Sequence, residues 1–169
     1  MRRSVLTWLV LGLLVLVSIW ASTAYLGKPH LQAGNFPHEV AGLFLQGNPV
    51  SGEAARQQVN QLHGTDISVL EAYIATYAGQ GEEATLWLSE SASETEAEAL
   101  LAAMDAGVPS APAFSGYEKI QDGTDVYYYV RGMGQDHYYF QDDHRVYWLS
   151  VKAGDPWQVA REFRRTFRY

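Results

Sequence analysis

From Ser4 to Gly27 the chain runs for 24 residues without a charged side chain, and Val5 to Trp20 is almost wholly Val, Leu, Ile and Trp. As a helix rising about 1.5 Å per residue, that run reaches roughly 36 Å, enough for a hydrocarbon core of about 30 Å. It is expected to be a transmembrane anchor, residues 1–27, in contact with membrane lipid through residues 4–27. Trp8 lies near one end and Trp20 and Tyr25 near the other, where amphipathic rings prefer the headgroup level. Arg2 and Arg3 precede the run and Lys28 follows it. The positive-inside bias keeps the N-terminus in the cytoplasm and sends the rest of the chain across the membrane, to the periplasm or cell exterior. A cleaved signal peptide competes with the anchor, because Ser22-Thr23-Ala24 permits cleavage after Ala24. Arg2-Arg3-Ser4-Val5-Leu6 also loosely follows the twin-arginine pattern. Either cleaved form leaves the domain outside as well.

The remainder is read as a linker over residues 28–37, broken by Pro29, Gly34 and Pro37, and one domain over residues 38–169. The chain has no cysteine. Disulfides, thiolate zinc sites, iron–sulfur clusters, covalently attached haem, a cysteine nucleophile and a lipidated cysteine are therefore excluded. From residue 29 onward 9 basic side chains face 19 acidic ones, a balance of −10. Nucleic acid is not an expected partner, because phosphate would be repelled.

Local patterns predict an α+β domain with a mainly antiparallel sheet covered on one face by about three helices. A strand is expected over 40–46, then a turn at Gly47-Asn48-Pro49 and a helix capped by Ser51 with Ala55, Val59 and Leu62 inward. Strands over 67–78 and 84–90 form a hairpin turning at 80–83. Ser93-Glu94-Thr95-Glu96 is a capping box for a helix with Ala97, Leu100, Leu101 and Met104 on one face, ended by Gly107 and Pro109. Four strands follow at 114–121, 126–131, 137–141 and 145–151. Asp155-Pro156 then opens a last helix with Trp157, Ala160, Phe163 and Phe167 inward.

Two patches stand out as candidate contacts. Alternation sets Tyr127, Tyr129 and Arg131 on one face of their strand, and with Tyr139 they are expected to form an aromatic surface for a ring-bearing ligand, a sugar or a partner chain. The same residues also suit plain cross-strand pairing within the sheet. The second patch is Arg161, Arg164, Arg165 and Arg168 at the end of the last helix, where cations complement the helix dipole or meet anionic headgroups or an acidic subunit. The five histidines prompt a metal hypothesis, but a hairpin turning at Asp142-Asp143 would set His144 opposite Gln141 and His137 opposite Trp148, too far apart for one ion. No catalytic template is present, so no catalytic residue, cofactor or metal is expected.

Val40-Ala41-Gly42, Ala72-Tyr73, Ala84 to Trp87, the helix Ala97 to Met104, Val126-Tyr127 and Val146-Tyr147-Trp148 carry a weak resemblance to uncharacterised bacterial membrane-anchored or exported α+β domains. The resemblance implies a place and a fold and transfers no activity. The function expected is that of a non-catalytic single-span protein serving a larger membrane complex, respiratory or photosynthetic in type, as an accessory, structural or assembly subunit. An exported domain binding a small molecule or carbohydrate through the tyrosine face is the alternative, and an enzyme of unrecognised type the third.

Overall fold

The computed structural model describes residues 32–63 and 69–168. Arg2, Arg3, Trp8, Trp20, Tyr25 and Lys28 lie outside them, as do the proposed cleavage site at Ala24 and the side chain of Leu62. Among the described residues no helix is long and apolar enough to cross a membrane.

In chain order the elements are β1 (Glu39–Val40), β2 (Leu43–Leu45), β3 (Val50–Ser51), α1 (Glu53–His63), β4 (Glu71–Gly79), β5 (Glu82–Glu90), α2 (Glu94–Gly107), β6 (Phe114–Asp122), β7 (Asp125–Gly132), β8 (Gln135–Asp142), β9 (Arg145–Lys152) and α3 (Pro156–Phe167). The strands form one antiparallel sheet in the order β1-β2-β4-β5-β9-β8-β7-β6, with β3 beside β4. The domain is α+β. β4 and β5 form one hairpin and β6 to β9 a four-stranded meander, joined where β5 pairs with β9.

The helices do not gather on one side of the sheet. Phe163 of α3 meets Tyr77 edge to face at 5.1 Å on one face, and Trp157 meets Tyr127 at 4.9 Å there. On the other, Ala55 and Val59 of α1 pack on Ala72 and Ile74, while Ala97 and Met104 of α2 pack on Tyr139 and Val146. Apolar residues at both parities of β4 account for this: Ala72 and Ile74 face one way, Tyr73 and Tyr77 the other, and all four are buried. The expected half-buried strand is buried on both sides.

The capping signals act largely as expected. Ser93 Oγ accepts from Glu96 N at 3.2 Å, and Glu96 Oε2 accepts in return from Ala92 N at 3.0 Å. Asp155 Oδ1 accepts from Gln158 N at 3.0 Å, with Pro156 at the first turn of α3. Ser51 does not cap α1. It lies in β3 opposite Tyr73, and Gly52 at φ 65° turns the chain from that strand into the helix. The expected strand over 40–46 is likewise split by Ala41 and Gly42, at φ 54° and 78°, into the hairpin of β1 and β2. Two successive left-handed residues are what a tight two-residue hairpin turn requires, and alanine rarely supplies one.

β6 closes on β7 with no room for a side chain at Gly132. A Cβ on Gly132 would lie 2.5 Å from the Ala113 carbonyl oxygen and 2.5 Å from the Phe114 ring. Gly132→Ala is expected to lower the unfolding free energy by about 1–3 kcal/mol through this overpacking. Urea denaturation of the two proteins side by side measures the difference.

Candidate functional site

One row of charged side chains crosses the α3 face of the sheet. Glu71, Glu90, Arg145 and Asp142 are successive register partners on β4, β5, β9 and β8. At the far edge Asp122 and Asp125 are partners on β6 and β7. Partners across an antiparallel ladder share a face, and these belong to the face that carries Tyr73, Tyr147, Phe140 and Tyr127.

The arginines of α3 answer this row. Arg164 is almost fully enclosed, its side chain 6% exposed. It grips Asp142 with two nitrogens, Nη2 to Oδ1 at 2.8 Å and Nε to Oδ2 at 3.0 Å. Its remaining donors reach the Val126 and Gln141 carbonyls at 2.8 and 3.1 Å. The guanidinium lies over the Tyr127 and Phe140 rings, 4.7 and 4.9 Å from their centroids. Arg168 Nη2 bridges Asp125 at 2.7 Å and Asp142 at 2.9 Å, and Arg161 Nε meets Asp122 at 2.7 Å. At the other end Arg145 Nε donates to Glu90 Oε1 at 2.8 Å, with side chains 7% and 0% exposed, and Arg56 of α1 approaches Glu71 at 3.7 Å. Five carboxylates thus meet five guanidinium groups. Arg168, foremost, holds the Asp125 carboxyl below the usual carboxylate range against the opposing effect of burial, with Arg164 adding to it. That contribution is in place above about pH 4 and is lost as acid protonates the group.

The basic end of the last helix is therefore an internal clamp as much as a surface patch. Arg164 is buried and not on any contact surface. Arg161 and Arg168 keep 47% and 45% of their side-chain area exposed while paired. Arg165, 77% exposed, pairs with Glu162 one turn earlier on the helix.

The four residues expected to share an aromatic surface do not share one. Tyr127 is 2% exposed, covered by Trp157 and Arg164. Tyr139 is fully buried on the opposite face, stacked between Tyr128 at 5.1 Å and Trp148 at 5.3 Å beneath α2. Tyr129 and Arg131 remain together at the rim of the α3 face, both bonded to Asp136: Tyr129 Oη donates to Oδ1 at 2.6 Å, and Arg131 Nε to Oδ1 at 3.2 Å. Alternation within β7 is as the sequence gives it; the phase between β7 and β8 differs, because Tyr128, not Tyr127 or Tyr129, registers with Tyr139.

The β8–β9 turn falls at Asp143-His144, one residue later than expected, so that Asp142 pairs with Arg145 and His137 with Ser150. The physical reason lies in α3: Arg164 and Arg168 hold the Asp142 carboxylate on the ladder, and Asp143 takes the left-handed turn position at φ 56°. Among the described residues no group of three or more His, Asp or Glu is placed to hold a metal ion.

No family model, curated protein or solved structure matches the chain.

Proposed function

We propose that the chain is a single-span membrane protein whose outward domain acts as a non-catalytic accessory, structural or assembly subunit of a larger membrane complex. The observation that carries the reading is the uncharged run of 24 residues from Ser4 to Gly27, followed by one acidic domain with a balance of −10. The fate of the buried charges supports it. Among the described residues Glu90, Arg145 and Arg164 are the carboxyl and guanidinium groups most deeply enclosed, and they are bound to oppositely charged partners inside the domain, an arrangement that fixes a fold more readily than it moves a proton. Arg131, Arg161, Arg165 and Arg168 are the surface members available to a partner. The alternative of a small-molecule or carbohydrate site needs an open tyrosine face, and Trp157 and Arg164 lie on the central ring of the one proposed.

Extraction in mild detergent followed by native electrophoresis tests the proposal. The protein is expected to migrate with multispanning subunits in fixed stoichiometry. A water-soluble monomer beginning near Tyr25 would overturn it.

A further inference from the structure

A single imidazole ties four strands together at the edge of the sheet. His137, on β8, is 2% exposed. Its Nε2 lies 3.1 Å from the Gly132 carbonyl oxygen on β7, and its Nδ1 lies 3.2 Å from Trp148 Nε1 on β9. A carbonyl oxygen only accepts and an indole N–H only donates. Both contacts are therefore satisfied by one form of the ring, neutral, with the proton on Nε2 and the lone pair on Nδ1. Phe114, the first residue of β6, packs edge-on against the imidazole at 5.2 Å and against Trp148 at 5.5 Å. Phe114 also registers with Gly132, where no Cβ could fit. β6 pairs with β7 on one side and ends the strand order on the other, and five consecutive residues, Ser115 to Lys119, are exposed. A bulge between Ser115 and Glu118 weakens its ladder near the Phe114 end.

We propose that His137 is an acid-sensitive latch for this edge: protonation of the ring releases Trp148 and Phe114 and opens the β6–β7 hairpin while the remainder of the sheet stays folded. A second proton can go only to Nδ1, where it faces the Trp148 N–H. The acceptor becomes a donor, and two donors then point at each other. The positive ring would sit in a cage built by Phe114, Trp148 and backbone, so it gains water only by opening the edge. Opening uncovers Phe114 and Trp148 beside a strand with free backbone groups, an apolar contact surface present under acid conditions.

The charges around the ring leave the proton little support. On its side of the sheet β7 offers Val130 and Gly132, β9 offers Ser150, and β8 offers Tyr139, whose phenol burial keeps neutral. Asp105 of α2 is taken by the Tyr117 hydroxyl of β6 at 2.7 Å. Lys119 of β6 lies over Tyr128. At the end of the same face Glu83 of β5 registers with Lys152 of β9 and accepts from Gln135 of β8. Asp136, the carboxylate among the described residues that favours the charged ring, points to the other face, where Tyr129 and Arg131 hold it. Burial outweighs these and lowers the imidazole pKa below its usual 6.5. A folded value below the unfolded one means the latch is complete above about pH 6.5 and lost as pH falls.

The test is hydrogen exchange of the full chain in detergent micelles from pH 7.5 to 5, corrected for the intrinsic pH dependence, for the wild type and for His137→Gln, which keeps a donor and an acceptor but does not titrate. In the wild type the β6 and β7 amides are expected to lose protection by up to about tenfold per pH unit below 6.5, with β4 and β5 amides unchanged, and in the variant all four strands should stay flat. Equal loss in the variant, loss spread evenly over the four strands, or no loss in the wild type would overturn the proposal. A second measurement needs no variant: the ¹⁵N shifts of the wild-type ring at neutral pH must show the proton on Nε2, and a proton on Nδ1 refutes the latch.

Discussion

Arg164→Ala is expected to lower the unfolding free energy by about 3–5 kcal/mol, the usual cost of removing one partner from a buried ion pair, while Arg165→Ala, adjacent in sequence but exposed to solvent, changes it by no more than about 0.5 kcal/mol. The Arg164 head group joins α3 to β7 and β8 through Asp142, two backbone carbonyls and two aromatic rings. Without it the carbonyls of Val126 and Gln141 lose a donor, and Asp142 loses its two-nitrogen grip while keeping Arg168. Arg164→Lys keeps the charge but cannot form the two-nitrogen grip or lie flat on Tyr127 and Phe140, so it should recover less than half of the loss. Denaturant titration of the full chain in micelles, followed by near-ultraviolet circular dichroism of the aromatic core, gives all three values. A loss below 1 kcal/mol for Arg164→Ala would mean that Phe163, Phe167 and Val159 hold α3 without the clamp.

Local patterns carried most of the element order, and the reasons for the exceptions are specific. The capping box at Ser93 and the Asp155-Pro156 start are signals within four residues, and they sit at the helix ends expected. The alternation of β7 is legible for the same reason. Which strand faces share a neighbour is a different matter, since it depends on register between strands, and register here is set by contacts far apart in sequence. Without that register Tyr139 looks like a neighbour of Tyr127 and Tyr129; pairing with Tyr128 sends it beneath α2. The ionic row has the same origin. Asp122, Asp125 and Asp142 flank hairpin turns and look like solvated turn residues, and the arginines of α3 look like a helix-dipole complement. Each description is locally correct, yet only the folded sheet brings the two sets within 2.7–2.9 Å. The one signal in the sequence was numerical: several acids at turns and several arginines on one helix, in a domain without cysteines to hold it.

The Glu90–Arg145 pair offers the second large effect and a test of what buried charge does in this domain. Glu90→Ala and Arg145→Ala should each cost about 3–5 kcal/mol at pH 8, because either removes the opposite charge bonded to an enclosed group. Their pH dependence should differ. Arg145→Ala leaves an enclosed carboxyl that can relieve the cost of its charge by taking up a proton, so the deficit of this variant shrinks between pH 8 and pH 5. Glu90→Ala leaves a guanidinium that stays charged throughout, and its deficit is expected to be flat over the same range. Replacing both, as Glu90→Leu with Arg145→Met, removes the two desolvated charges together and should recover most of what either single change loses. Equal pH profiles for the two single variants would show that water reaches the pair. A double variant no better than the singles would show that the pair holds β5 and β9 in register through bonds that apolar side chains cannot replace.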